Sequence, residues 1–380
     1  HLNGTELLRL GMPPDVAPHH EMLAGRNIIN ATLEGPFDLD PALLQPGENT
    51  LAVEVHQVSG NSSDIVFGLR LEVVTVSTGG ATGLVINELL ADNRSLGVTG
   101  GGYPDWVELH NPGAVSINLS GMGMTDSPDS SHRFVFSDGS VIAAGGYIVV
   151  ECDPDKPASA TNTGFGLKAS GDALYLHDAQ ARGGALLDGI EFGLQAPDLA
   201  LGRNPLANSE WWPGEPTPGA VNKPLATGDS AQLRINEWMA DPANGDDWFE
   251  LFNPTGRPVA LGGFALTDDP ANPALHRLPA HSYIGGGYFA FRKIIADGRA
   301  GRGADHVPFK LRGSGEGIAL RDADGRLIDE VTFARQSEGV SEGRFPDGAA
   351  KIVRFPGFAF PGASNRLDAN LNGLPDDWEQ

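Results

Sequence analysis

The chain of 380 residues has a single cysteine, Cys152, so no disulfide closes within it and no thiolate cluster holds a metal. Cys152 reads as a small apolar residue ending a strand. Its neighbours Glu151, Asp153 and Asp155 are acidic, whereas a reactive thiol needs positive surroundings. No apolar run approaches the roughly 18 residues of a membrane-spanning helix. Basic residues are few: 26 Lys and Arg stand against 49 Asp and Glu, a net charge of −23. Such a surface repels phosphate backbones and excludes nucleic acid as a partner. No G-x-S-x-G, H-E-x-x-H or phosphate-binding loop is present. No amphipathic helical pattern runs beyond about ten residues.

What the chain does have is turns: 51 Gly and 28 Pro divide many short apolar runs, the pattern of β structure. It also says one thing twice. Ile86-Asn87-Glu88 recurs as Ile235-Asn236-Glu237, and Asp105-Trp106-Val107-Glu108-Leu109 as Asp247-Trp248-Phe249-Glu250-Leu251. Asn111-Pro112 recurs as Asn253-Pro254, and Thr125-Asp126 as Thr267-Asp268. The spacing is 149 residues at Ile86/Ile235 and 142 at Asn111/Asn253, so the difference falls in the Gly-rich loop between Asn93 and Tyr103. A gap confined to one surface loop is what a duplicated domain tolerates. Further on, Gly145-Gly146-Tyr147-Ile148 is set against Gly286-Gly287-Tyr288-Phe289. Each repeat closes on Pro-Gly-Ala-x-Asn, at Pro218–Asn222 and Pro361–Asn365.

The organisation expected is therefore a first β unit at 1–76, repeats at 84–222 and 233–365 with linkers before each, and a tail at 366–380. Within the first unit, Leu51–His56 and Ile65–Val73 alternate as half-buried strands do. Seventy-odd residues are thin for a sandwich, so this unit reads as the end of one. The start at His1, in mid-pattern and without Met, reads as part of a longer polypeptide.

The repeats resemble the lamin-tail domain. The motifs that carry the resemblance are Ile-Asn-Glu, Asp-Trp-x-Glu-Leu-x-Asn-Pro, the following Leu-x-Gly run to Thr-Asp, and Pro-Gly-Ala-x-Asn. The resemblance implies an all-β fold: two tandem immunoglobulin-like β-sandwiches after a partial jelly-roll β unit. It implies structural and interaction roles rather than catalysis, in a family that also occurs in bacterial secreted and surface proteins. Residues 1–76 resemble the end of a galactose-binding-like jelly roll, in Leu2–Glu6, Gly47–Gln57 and Ser62–Ile65. That implies carbohydrate as a partner.

The sharpest chemistry is at the C-terminus. A twelve-residue calcium loop offers oxygens at positions 1, 3, 5, 7, 9 and 12 and turns on a glycine at position 6. Asp368, Asn370, Asn372, the Leu374 carbonyl, Asp376 and Glu379 fill those positions, with Gly373 at the turn. The loop resembles those of dockerins and thrombospondin type-3 repeats, and calcium is the expected cofactor. The alternative is an acidic, solvated tail.

Other residues read as structural. Asp105 and Asp247 suit backbone bonds at a strand start. Trp106 and Trp248 read as core anchors. Glu108 and Glu250 share strand parity with these tryptophans, point the same way and need a buried polar partner, for which Arg203 and Arg344 are the candidates. His132 and His276 recur singly, too few for zinc, and read as surface or loop residues. Asp241, Asn244, Asp246 and Asp247 offer oxygens to a cation, although acidic loops ordinarily face water. The function expected is a non-catalytic accessory or adhesion region of a secreted or cell-surface protein, monomeric by itself, binding carbohydrate or a surface protein. The alternatives are the accessory tail of a large secreted hydrolase and, more remotely, a metal-dependent hydrolase in its own right.

Overall fold

A computed structural model describes residues 83–367 apart from 98–101, 206, 300 and 358. Before these it describes 1–13, 16, 18–26, 37, 43–44, 49–61, 67 and 69. Two compact units are present, His1–Val74 and Thr75–Gln380. In the first, Leu2 bridges to Leu51 and Asn3 caps the turn at Thr50, whose N–H donates to Asn3 Oδ1 at 2.9 Å. The strand expected at 51–56 is reduced to that bridge, and most of 65–73 lies outside the described residues. Leu2 is buried, while Leu8, Leu10, Leu23, Val53, Phe67 and Leu69 are exposed.

The second unit holds both repeats. The first contributes β1 (Val85–Leu90), β2 (Asp105–His110), β3 (Ile117–Asn118), β4 (Gly123–Thr125), β5 (Phe134–Val135) and β6 (Val141–Ile142). It continues with β7 (Tyr147–Cys152), β8 (Asp172–His177), β9 (Leu186–Phe192), β10 (Ala200–Asn204), β11 (Ala207–Glu215) and β12 (Lys223–Pro224). The second contributes β13 (Arg234–Met239), β14 (Asp247–Phe252), β15 (Val259–Ala260), β16 (Ala265–Thr267), β17 (His276–Arg277) and β18 (Tyr283–Ile284). It ends with β19 (Phe291–Ala296), β20 (Gly315–Arg321), β21 (Leu327–Ala334), β22 (Val340–Arg344) and β23 (Ile352–Pro356).

In the first repeat the sheet β12-β11-β10-β1-β2-β7 covers the sheet β5-β4-β8-β9, with the short pair β3-β6 beside them. In the second, β19-β14-β13-β22-β23 covers β17-β16-β20-β21, with β15-β18 beside them. The strand ladders are antiparallel, and the two repeats share their register: Ile86 faces Leu109 as Ile235 faces Leu251. Alternation works as the pattern predicts: Leu174 and Leu176 point into the first core and Ile318 and Leu320 into the second. Both repeats are immunoglobulin-like β-sandwiches.

Two expectations are corrected. Tyr147 opens β7, but its counterpart is Phe291 rather than Tyr288, since His110 pairs with Tyr147 as Phe252 pairs with Phe291. Two extra residues turn Gly287–Phe289 into a 3₁₀ turn with Tyr288 on the surface, 91% exposed. The linker at 223–232 is not a free tether. Leu225 N–H donates to Pro213 of the first repeat (2.8 Å) and Gly228 N–H to Pro258 of the second (2.9 Å). After them, Ser230–Gln232 is a 3₁₀ turn capped by Asp229.

The repeats are joined more deeply still. After β9 the segment Gly193–Gln195 leaves the first sandwich and enters the second, and Ala196 returns to the first core. Leu194 is fully buried in the second core, and Tyr283 of the second repeat is buried in the first. Gly193 N–H donates to Ala280 C=O (3.0 Å), Tyr283 N–H to Leu194 C=O (2.7 Å) and Ala304 N–H to Ser170 C=O (2.6 Å). Leu194 N–H donates to Ser282 Oγ (3.1 Å), and Gln195 Nε2 to His281 C=O (2.7 Å). Only glycine fits at 193, because a Cβ there would lie 1.9 Å from Ser282 Oγ. Arg292 donates across the joint to Gln195 C=O (3.1 Å). Exchanged side chains and shared backbone bonds make the pair one body.

Candidate functional site: paired carboxylates and the closing turn

The repeated Ile-Asn-Glu is the sequence of a β-bulge. The ladder between β1 and β2 slips at Asn87, and that between β13 and β14 slips at Asn236. One extra residue reverses the alternation. Ile86 and Leu89 therefore both reach the sandwich core, while Glu88 turns to the opposite face. There it sits directly across the ladder from Glu108, and Glu237 sits across from Glu250. Like charges opposed in this way destabilise a sheet, yet all four carboxyls are almost completely buried.

The closing motif explains the placement. Thr217-Pro218-Gly219-Ala220 is a tight turn, with Ala220 N–H donating to Thr217 C=O (3.0 Å) and Gly219 at φ 79°. Proline followed by a positive-φ glycine is the chemistry of a type II turn. The turn folds over the sheet and aims its donors down. Thr217 N–H and Oγ1 donate to Glu88 at 3.0–3.1 Å, and Gly219 N–H donates to Glu108 Oε2 at 2.5 Å. Asn87 Nδ2 donates to Glu108 Oε1 (2.7 Å) and Asn222 Oδ1 (2.9 Å), while Asn222 Nδ2 returns to Asn87 C=O (3.0 Å) and Arg203 C=O (2.8 Å).

The second repeat builds the same lock with different atoms. Phe360 N–H donates to Glu237 at 3.2 Å, Ser341 Oγ to Glu237 Oε1 at 2.5 Å, and Gly362 N–H to Glu250 Oε2. Asp347 adds a carboxylate that accepts from Asn236 Nδ2 and Asn365 N–H, both at 3.0 Å. Burial pushes Glu88 and Glu250 up to about 8 and Glu237 up to about 7, and raises Glu108 as well. The turn donors pull Glu88 and Glu108 partway back. The arrangement holds protons and backbone amides and is sealed against substrate. Two surface hollows, one beside Asp105 and Cys152 and one beside Val115 and Arg182, are lined by none of the four glutamates.

Arg203 and Arg344 are not the partners of these glutamates. Gly202 is the residue facing Glu88, so its neighbour Arg203 points the other way. It grips Asp188 with two bonds of 2.6–2.7 Å and donates Nε to Ile86 C=O (2.7 Å). Arg344 does the same with Asp329 (3.0 Å) and Ile235 C=O (2.8 Å). The signal missed was Leu-x-Asp, repeated at Leu186–Asp188 and Leu327–Asp329. Asp188 also accepts from Ile86 N–H (2.8 Å). Asp188→Ala removes the carboxylate from a nearly buried guanidinium and should cost roughly 3–5 kcal/mol. Chemical denaturation checks this, with a cost under about 1 kcal/mol marking the pair as an ordinary surface bridge.

Trp106 and Trp248 are buried at equivalent places, but not in the sandwich cores. Trp106 shares the glutamate face with Leu90 and Ala200 under Leu96, and Lys293 covers the Trp248 ring at 5.2 Å. Asp105 and Asp247 do hold backbone: Asp105 accepts from Asn93 N–H and Asp247 from Leu311 N–H, each at 3.1 Å. His132 and His276 are half-buried, each facing a carbonyl, of Asp178 (2.9 Å) and Ala304 (3.3 Å). Cys152 is buried at the end of β7, and burial raises its thiol. Among the described residues no group of three or more His, Cys, Asp or Glu is placed to hold a metal ion, the loop around Asp241 and Asp246 included. The calcium ligands expected at Asp368, Asn370, Asn372, Leu374, Asp376 and Glu379 lie outside the described residues.

Residues 77–193 and 226–335, together more than half of the chain, match the family Lamin Tail Domain. The chain belongs to the lamin tail domain family. No curated protein and no solved structure matches it. The two matched spans are tandem lamin tail domains, members of a non-catalytic immunoglobulin-like family. Both spans stop short of β10 and β22, the strands that pair with β1 and β13. The closing turns that seal the glutamates lie beyond them too. In this chain each lamin tail domain is physically complete only with those added residues.

Proposed function

We propose that the chain is a non-catalytic accessory region of a secreted or cell-surface protein, which spaces and presents its neighbours and binds carbohydrate or a surface protein. The observation that carries this is the joint at Gly193–Ala196. Two sandwiches that exchange Leu194 and Tyr283 across their cores form a spacer of fixed geometry, and the repeated glutamate constellation is sealed for stability rather than opened for substrate. The accessory tail of a large secreted hydrolase assigns this chain the same work and differs in what it is attached to. Immobilised chain should retain a polysaccharide or a cell-surface protein without turning it over. Hydrolysis of phosphoesters or glycosides that tracks the purified chain would sink the non-catalytic reading.

The calcium loop belongs to this reading. Three carboxylates, Asp368, Asp376 and Glu379, with two asparagines in place of aspartates, should bind Ca²⁺ in the roughly 10⁻⁴ M range of extracellular modules. Trp378 lies beside the last ligand and reports occupancy. Fluorescence and calorimetry should show one saturable site that Asp368→Ala removes. A flat titration to millimolar Ca²⁺ would make the tail a solvated acidic segment.

A further inference from the structure

We infer that the edge Ser137–Ile142 of the first lamin tail domain is a docking site for the tail segment of another lamin tail domain, the segment equivalent to Gly193–Gln195. The template is inside the molecule. In the second domain the corresponding edge, Pro279–Ile284, is occupied by that segment of the first: Ala280 C=O accepts, Tyr283 N–H donates, and Ser282 Oγ accepts. The two edges are built alike. Ile142 faces Ile117 as Ile284 faces Val259. Leu119 N–H donates to Ser140 C=O as Leu261 N–H donates to Ser282 C=O, both at 2.8 Å. This shared register turns the N–H of Val141 outward, as it does that of Tyr283. Asp138, Ser140 and Val141 then stand where Ala280, Ser282 and Tyr283 make their bonds.

The difference is occupancy. Tyr283 is 6% exposed beneath the docked segment, and Val141 is 54% exposed. An edge with outward N–H and C=O groups is a template for an added strand. With only two residues in β6, the edge suits a short plug rather than a long strand.

The chemistry of the occupant follows from the plug. It needs a glycine where Ser140 approaches, since a Cβ at Gly193 collides with the matching Ser282, and a buried aliphatic residue after it. The tail of the second domain cannot supply this: Ala334-Arg335 replaces Gly193-Leu194, and both residues are exposed. The chain's own Gly-Leu plug is already spent on its second domain. A second copy of this chain is therefore excluded as donor, and a different lamin tail domain with an apolar residue at that place is the partner. This goes beyond the spacer reading and does not depend on what the region binds.

The test uses the full chain, isotope-labelled, and a capped peptide of residues 192–197. Saturable amide shifts confined to Ser137–Ile142 are expected at roughly millimolar peptide, and a peptide carrying Leu194→Arg should bind at least about tenfold more weakly. Asp138→Ala with Val141→Tyr, which copies the second edge onto exposed positions, should tighten binding roughly tenfold, and Val141→Lys should weaken it. The proposal is overturned by no shifts at 5–10 mM peptide, by equal shifts from the Arg peptide, or by shifts limited to Pro279–Ile284. The last result would mean that the peptide merely competes for the internal joint.

Discussion

Replacing Leu194 by alanine should destabilise the second sandwich by about 3 kcal/mol, although Leu194 is spelled in the chain of the first. The side chain is fully buried among the residues of the second core. Its removal deletes a buried isopropyl group and leaves a cavity that β-sheet walls relax into poorly. Tyr283→Ala should strike the first sandwich in the same crossed manner, since its ring packs there. Leu174→Ala, wholly within the first core, is the control for an uncrossed effect. Native-state hydrogen exchange resolves the domains by their amides. Faster exchange in β13 and β14 of the Leu194→Ala protein is the expected pattern. Change confined to the first sandwich would show that the joint is decoration.

The second large effect is on pH. Glu88 and Glu250 stay protonated in the folded chain up to about 8, Glu237 up to about 7, and Glu108 also above its ordinary 4.5. In the unfolded chain all four lose their protons near 4.5. Between the two values the folded state binds more protons, so stability is full below about pH 4.5 and declines as pH rises towards 8. The slope is roughly 1.4 kcal/mol per pH unit for each carboxyl that stays protonated. Wild type should thus melt several degrees lower at pH 8 than at pH 5. Glu88→Gln keeps an acceptor for Thr217 and removes the titration. It should match wild type at pH 5, exceed it at pH 8, and flatten the profile. A wild-type melting temperature that climbs from pH 5 to 8 contradicts the buried, protonated lock.

The sandwich fold was legible because its signals are local and doubled. The two copies of Asp-Trp-x-Glu-Leu occupy the same strand with the same ladder partners. What the sequence hid was non-local or depended on a break in alternation. The bulge at Asn87 is invisible to a period of two, so parity alone places Glu108 beside Trp106 and says nothing of Glu88. Parity found their common side but not that this side lies away from the core. Arg203, chosen as a recurring polar partner, fails at Gly202, where the residue facing Glu88 carries no side chain. The shared Gly-Gly-Tyr sets Tyr288 against Tyr147, yet two inserted residues make Phe291 the counterpart of Tyr147. Gly193-Leu194 has no repeated counterpart, so no doubled motif marks it. Its absence from the second repeat is the very thing that makes the joint directional.

The closing turn also sets an order of events. Each glutamate pair is spoken early in its repeat, at 88 and 108 or 237 and 250, while the donors that quiet it arrive more than a hundred residues later, at 217–219 and 360–362. A ribosome reads the chain in that direction. Until the last turn of a repeat emerges, its two carboxyls lack those donors. The first sandwich waits longer, since Tyr283 from the next repeat completes its core. The nascent protein therefore matures as a zipper with two late teeth, and a chain cut before residue 283 leaves both halves unfinished.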